Sequence, residues 1–196
     1  NNFCLSRIRL SIALNKKLQP IKNLWDEKYR KIDANYKYND NLKEYVTKDK
    51  ELENVLSSVM IEFNVPKMGT ALSDPELKKM SYAYNHSKSI YFVIERGGKI
   101  FGGAGISPLK KSKENICELQ KMYFLSDARG IGLGKKMINR CIEKARKYKF
   151  DKCYIETMYN MKSAQKLYLS EGFNYIDKPI GNTGHSSCPV WMIKHL

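Results

Sequence analysis

Apolar residues first fall into a firm rhythm between Leu52 and Phe63, where Leu52, Val55, Leu56, Val59, Met60 and Phe63 share one face of a helix. Pro66 and Gly69 end it. Asp74-Pro75-Glu76 opens a second helix, with Ser73 or Asp74 as cap and Pro75 in the first turn. The spacing then changes to the two-residue period of strands. Ile90–Glu95 and Lys99–Ile106 form a hairpin about Gly97-Gly98, and residues 117–125 (CELQKMYFL) form a third strand. A long helix runs from about Gly132 to Tyr148, turning Leu133, Met137, Ile138, Cys141, Ile142 and Ala145 inward. Residues 152–158 form a strand, and Asn160 caps a helix over roughly 161–171 that Gly172 closes. Two short strands, Phe173–Ile176 and Pro189–His195, finish the chain.

Upstream the pattern is less orderly. Ile8, Leu10, Ile12 and Leu14 alternate like a strand, and Leu18, Ile21, Leu24, Trp25, Tyr29 and Ile32 recur at helical spacing. The polar stretch Asn35–Asn41 reads as a connection. Helices and strands in this order predict an α/β fold built on one mixed sheet. At 196 residues the chain fits one domain over 41–196, preceded by an extension, 1–40.

Composition narrows the class. A hydrophobic fraction of 42% with 28% charged residues is that of an ordinary soluble protein, and no apolar run approaches a membrane span of roughly 18 residues. Residues 3–14 have a faint leader-like look, but Arg7 and Arg9 interrupt them and no small-residue cleavage site follows, so they read as no signal. The five cysteines form no CxxC pair, which argues against a zinc or redox motif and suits a reducing, cytoplasmic setting without a metal. The net charge of +15 raises the question of a nucleic-acid partner. No Arg-rich helix or compact basic run is present, so lysines scattered over solvated faces are the preferred explanation.

The segment Asp127 to Lys136 (DARGIGLGKK) carries the strongest chemical signal. It joins a strand to a helix, its glycines let the backbone approach a ligand, and a helix start offers unpaired N–H donors to a phosphate. Two familiar phosphate motifs fail: Lys136 stands where a Walker A loop needs Ser or Thr, Arg129 where it needs glycine, and Lys135 where GxGxxG needs its last glycine. The pattern Arg129-x-x-Gly132-x-Gly134 resembles instead the acetyl-CoA motif of the GNAT superfamily. Asn160, Ala164, Leu167, Tyr168, Gly172 and Phe173 are similar to that superfamily's second signature, and Glu118–Phe124 looks like its central strand.

The resemblance implies a single GNAT-like domain, with a mixed, mostly antiparallel sheet splayed at its central strand and helices on both faces. It places a first strand before the first helix, for which Tyr45–Thr47 is the candidate. The implied reaction is acetyl transfer from acetyl-CoA to a primary amine in a small molecule or peptide, without a metal or a membrane, and relatives are commonly homodimers. Backbone amides from Arg129 through Gly130, Gly132, Gly134 and Lys135 would hold the pyrophosphate. Main-chain groups near Met122 and Phe124 would pair with pantetheine, an amide near Met122 would polarise the thioester, and Asn160 would contact the coenzyme arm. Tyr168 would sit near the sulfur and protonate the departing thiolate.

An amine of pKa about 10.4 is neutral in only about one part in a thousand at pH 7, equivalent to roughly 4–5 kcal/mol, so a base is useful. Glu118 stands eleven residues before Arg129, the offset of the catalytic glutamate in the histone-acetylating branch. It is either that base or a strand-end carboxylate that pairs with a cation or binds the acceptor. Cys117 has no partner that would make it a nucleophile. His185, in the loop Gly181–Cys188, reads as solvated, and His86 and His195 as structural. Two other functions stay open on the same residues: a non-catalytic CoA sensor, and a basic nucleic-acid-binding regulator. A charge of +15 would favour anionic acceptors.

Overall fold

The computed structural model describes residues 37–39 and 48–196. The strand expected at Ile8–Leu14, the helical repeat at Leu18–Ile32 and the first strand sought at Tyr45–Thr47 lie outside the described residues. Seven strands, β1 (Lys37–Asn39), β2 (Ile90–Arg96), β3 (Lys99–Pro108), β4 (Ile116–Phe124), β5 (Lys152–Thr157), β6 (Asn174–Ile176) and β7 (Val190–His195), join in one sheet of order β1-β2-β3-β4-β5-β7-β6. Every neighbouring pair is antiparallel except β4 and β5. Part of the stretch read as a connection is therefore the edge strand β1, pairing with Val93–Glu95. Its polar composition suits an edge, which needs only one partner.

The parallel pair sets the character of the sheet. β4 and β5 share register only over Ile116–Glu118 and Lys152–Tyr154. Beyond Glu118, β4 follows β3 while β5 follows β7, so the two middle strands part and leave a wedge between them. A bulge accompanies the parting. Gly103 pairs with Tyr123 but Gly105 with Gln120, so Lys121 and Met122 together face Ala104. Lys121 takes a left-handed φ of 49°. Such an insertion bends a strand and increases its twist. The bulge is held from the next strand: the Tyr91 hydroxyl, fully buried, donates to the Lys121 carbonyl at 2.8 Å. Tyr91 reaches it across β3 because Gly103 has no Cβ, which would lie 2.5 Å from the Tyr91 ring.

Helices cover both faces, because successive strand residues point to opposite sides. Helix α1 (Asp49–Glu62) buries Leu52, Leu56 and Met60 on the face that carries Tyr91 and Val93, and its Val59 is buried as well. The short α2 (Met80–Ala83) contributes Met80 to that core, and Tyr84, just after it, lies against Tyr91 with ring centroids 5.1 Å apart. On the other face α3 (Leu133–Lys147) buries Leu133, Met137, Ile138, Cys141, Ile142 and Ala145, the six residues its periodicity indicated. Its Arg140 guanidinium stacks over the Phe92 ring at 5.2 Å. Each fully buried aliphatic or aromatic side chain contributes about 1.5–3 kcal/mol. Among the described residues no helix is long and apolar enough to cross a membrane.

Two capping expectations are corrected. After Asp74 the chain makes a 3-10 turn, Pro75–Lys79, before α2, and the Asp74 side chain caps neither. Its carboxylate is taken by the Lys121 ammonium at 2.7 Å, because a buried cation competes for an acceptor more strongly than a backbone N–H. Likewise α4 (Lys162–Ser170) starts without a side-chain cap, and the Asn160 amide donates to the Phe63 carbonyl at 2.7 Å instead. Gly172 closes α4 as expected, at φ 84°, with Phe173 N–H returning to the Tyr168 carbonyl at 3.0 Å.

Replacing Tyr91 with Phe strips the buried Lys121 carbonyl of its donor. Urea denaturation should show a loss of about 1–3 kcal/mol.

Candidate active site

The turn between β4 and α3 presents a row of open backbone donors. Gly130 and Gly132 take left-handed φ values of 71° and 86°, which reverse the chain between the 3-10 turn Ser126–Ala128 and the helix. Gly132 begins α3 without a side-chain cap, and the first helical turn contains no acidic residue. Among the described residues the amides of Gly130 through Lys135 donate to no protein acceptor; the ladder starts with Lys136 N–H to the Gly132 carbonyl at 3.2 Å. Unpaired N–H groups and the positive helix end form a seat for a phosphate. Gly134 packs the helix start closely: a Cβ there would come within 3.0 Å of Leu167 and 3.6 Å of Met122.

The side chains of the same motif face a different task. Arg129 donates from Nη2 to both Glu62 oxygens, at 2.8 and 2.6 Å, and its guanidinium lies over the Phe63 ring at 5.1 Å. Lys135 pairs with Glu171 at 3.1 Å. Together with the Asn160–Phe63 bond, the Arg129 contacts tie two motif residues, distant in sequence, to the end of α1. Met122, half-buried, lies in the bulge, and Phe124 is buried at the end of β4. Tyr168 is buried beside Phe173, ring centroids 5.9 Å apart, and its hydroxyl has no hydrogen-bond partner among the described residues. Burial raises its phenol well above the ordinary range.

Glu118 is the last β4 residue to pair with β5, and it is only 3% exposed. Tyr84 donates to Gln120 Oε1 at 2.8 Å, which orients the amide so that Nε2 donates to Glu118 Oε2 at 2.7 Å. The other Glu118 oxygen has no donor among the described residues. Burial pushes the Glu118 carboxyl up to about 7, against the opposing effects of the Gln120 bond and of the His185 and Lys121 charges; the charge on Glu156 adds to the rise.

Around Glu118 the structure gathers groups that sequence reasoning left apart. Glu156 accepts from Tyr154 at 2.7 Å and from Thr183 at 2.7 Å. His185 Nε2 sits 3.2 and 3.3 Å from the two Asp74 oxygens, and its Nδ1 is 3.9 Å from Glu156. The loop histidine read as solvated is therefore largely enclosed, because Asp74 reaches over the sheet to hold it. Burial works against charging the ring, but the Asp74 hydrogen bond and charge, helped by Glu118, raise its pKa above the ordinary histidine value. Asp74 in turn is depressed: burial opposes ionisation, and the His185 bond and the Lys121 ammonium outweigh it. Glu156, Asp74 and Lys121 carried no motif. The one sequence signal for Glu156 was its place two residues after Tyr154 on the strand beside β4.

The cluster also qualifies the inference from net charge: inside the site the carboxylates of Asp74, Glu118 and Glu156 face only Lys121 and His185 among the described residues, although the chain as a whole is +15. The described cysteines, Cys117, Cys141, Cys153 and Cys188, are buried and free.

The geometry agrees with known proteins. The model of the Acetyltransferase (GNAT) family matches residues 55–173. An uncharacterized N-acetyltransferase of Escherichia coli, YjgM, is 41% identical over 143 residues, spanning 72% of this chain and 86% of that protein. Among solved structures, a GNAT-family acetyltransferase from Staphylococcus aureus superposes with a TM-score of 0.71 at 23% identity, covering 82% of this chain and 99% of that one. PaiA N-acetyltransferase from Thermoplasma acidophilum, solved in complex with coenzyme A, gives 0.58 at 10% identity, covering 82% and 99%.

Asp74→Asn removes the carboxylate that favours a charged His185. An NMR titration should find the His185 pKa lower than in the unaltered protein; an unchanged value would show that Asp74 does not govern the ring.

Proposed function

The chain belongs to the GNAT acetyltransferase family, and on that premise we propose that it transfers an acetyl group from acetyl-CoA to a primary amine by direct attack within a ternary complex. The observation that carries this reading is Glu118: a buried carboxyl, pushed up to about 7, with one oxygen open, placed where β4 and β5 part. A base with a pKa near the working pH combines a useful ionised fraction with real proton affinity.

The residues present fit the coenzyme. The open amides of Gly130 through Lys135 suit its pyrophosphate, and the unpaired reach of β4 beyond Glu118 suits its pantetheine arm, with Met122 and Phe124 as the nearest main-chain partners. Asn160 and the end of α1 would border that arm. In the reaction Glu118 accepts a proton from the ammonium, leaving a neutral amine whose lone pair forms the new carbon–nitrogen bond. The carbon–sulfur bond breaks, the Tyr168 phenol protonates the departing thiolate, and the surplus proton on the amide nitrogen restores the phenol. A carboxylate and a phenol thus handle the protons, and acetyl-CoA supplies the activated acyl group.

Direct attack is favoured over an acyl-enzyme because the thiols are poorly suited to nucleophilic work. Cys117 is fully buried, and burial pushes the Cys188 thiol up to about 12, chiefly protonated at neutral pH.

Calorimetry should find micromolar acetyl-CoA binding that is lost when Gly132 and Gly134 are replaced by bulkier residues in a protein that still folds. Absence of binding by the unaltered protein would leave only the fold. Because Glu118 acts ionised, kcat/KM should fall about tenfold per pH unit below about 7 and level off above it. Glu118→Gln should lower kcat about 100-fold or more and abolish that acid limb. Tyr168→Phe should reduce turnover while leaving coenzyme affinity nearly unchanged; equal activity would remove Tyr168 from the mechanism.

A further inference from the structure

Between Glu156 and the segment 179–191 lies a cavity of ≈ 370 Å³. Its charged lining residues are Glu156 and His185; among the described residues no lysine or arginine lines it, in a chain that carries 35 of them. The nearby cation Lys121 is committed to Asp74 at 2.7 Å and Glu76 at 3.8 Å, with its side chain only 2% exposed. Trp191 and Pro179 supply an apolar wall.

One carboxylate oxygen each of Glu118 and Glu156 and a ring nitrogen of His185 lie within 4.8 Å of one another. All three residues offer acceptors once His185 is neutral, a state reached as pH rises above its raised pKa. Asp74 can only accept when ionised, so it fixes the proton of the neutral imidazole on Nε2 and leaves a lone pair on Nδ1. Glu118, almost wholly enclosed, keeps one oxygen without a donor among the described residues. His185 Nδ1 and Glu156 stand 3.9 Å apart, between the spacings that two kinds of occupant would need. A primary ammonium directs three N–H bonds of about 2.8 Å at tetrahedral angles, which sets its acceptors about 4.6 Å apart. A zinc ion at about 2.1 Å needs ligands only about 3.4 Å apart.

We infer that Glu118, Glu156 and His185 form a three-acceptor seat for the ammonium of a primary alkylamine that carries no carboxylate or phosphate, with its apolar body against Trp191 and Pro179. The inference rests on the acyltransferase reading and specifies its acceptor class. Glu156 and His185 receive the cation and Glu118 takes its proton. With His185 neutral, an α-carboxylate or phosphate on the acceptor would enter a cavity whose fixed charge is Glu156 and which no described lysine or arginine lines, so amino acids and phosphorylated amines are rejected by repulsion and desolvation.

Phenethylamine and phenylalanine share a body and differ by the carboxylate. With saturating acetyl-CoA, phenethylamine should exceed phenylalanine at least about 100-fold in kcat/KM. Glu156→Gln should raise KM for phenethylamine about tenfold while acetyl-CoA affinity by calorimetry stays unchanged. Direct calorimetry of both compounds on the CoA-saturated and the CoA-free protein reads the seat without turnover and, on the unaltered chain, without dependence on a variant's folding. Equal use or equal binding of phenylalanine would overturn the inference, as would an unchanged KM in a folded Glu156→Gln protein. So would tight Zn²⁺ binding that this variant loses, without any preference for the amine. Selective phenethylamine binding by a protein that binds no acetyl-CoA would support the seat and sink the acyltransferase reading; turnover of phenylalanine at full rate would do the reverse.

Discussion

An ammonium enclosed to 2% exposure has to be paired, and Lys121 meets that demand with Asp74. Much of the site depends on this one contact. Lys121 lies in the bulge where β4 leaves β5, Asp74 lies on the segment that leads into α2, and the same carboxylate holds His185 from the loop before β7. One carboxylate therefore joins three stretches of chain. Removing one member of a buried pair typically costs about 3–5 kcal/mol, because the other is left charged and unsolvated. The left-handed φ at Lys121 belongs to the same arrangement: the residue gives its carbonyl to Tyr91 and its ammonium to Asp74.

The wedge beyond Glu118 has electrical ends of opposite sign. At the start of α3 a row of amides and a helix terminus favour anions; at the other end Asp74 is already held by Lys121, and the carboxylates of Glu118 and Glu156 favour cations. On the proposed function an anionic coenzyme and a cationic acceptor would each be drawn to its own end. The net charge of the chain says little about this, because the surface lysines that dominate it are screened from an enclosed pocket by water and salt. Local burial and pairing decide the chemistry.

The elements with strong periodicity were legible. The inward face of α3, the β2–β3 hairpin and the glycine stop at 172 follow from spacing and backbone preference alone. The geometry of the turn before α3 was legible too: glycines at 130 and 132 take the left-handed φ values that reverse the chain. What failed was assignment of polar side chains. Asp74 and Asn160 both have the right type and position for helix caps, yet each is claimed by a partner far away in sequence, at Lys121 and Phe63. Local propensity cannot register a competitor that only the tertiary fold brings near. His185 was misjudged for the same reason: a polar loop reads as solvated until the carboxylate that encloses it is in view. The strand at Lys37–Asn39 escaped because edge strands need little apolar content.

The segment between β6 and β7 is anchored by main-chain as well as side-chain bonds. Asn182 N–H meets the Lys110 carbonyl at 2.9 Å, and Ser187 N–H meets the Gly69 carbonyl at 3.0 Å. These anchors use backbone atoms, while Thr183 and His185 add side-chain bonds to Glu156 and Asp74. The turn proposed to seat the phosphate and the strand that carries Glu118 belong to other parts of the chain. On the proposed function, natural variation at the remaining positions of 177–189 could change which amine is admitted without disturbing how the acyl donor is held. In evolutionary terms the fold separates an inherited engine from a replaceable lock.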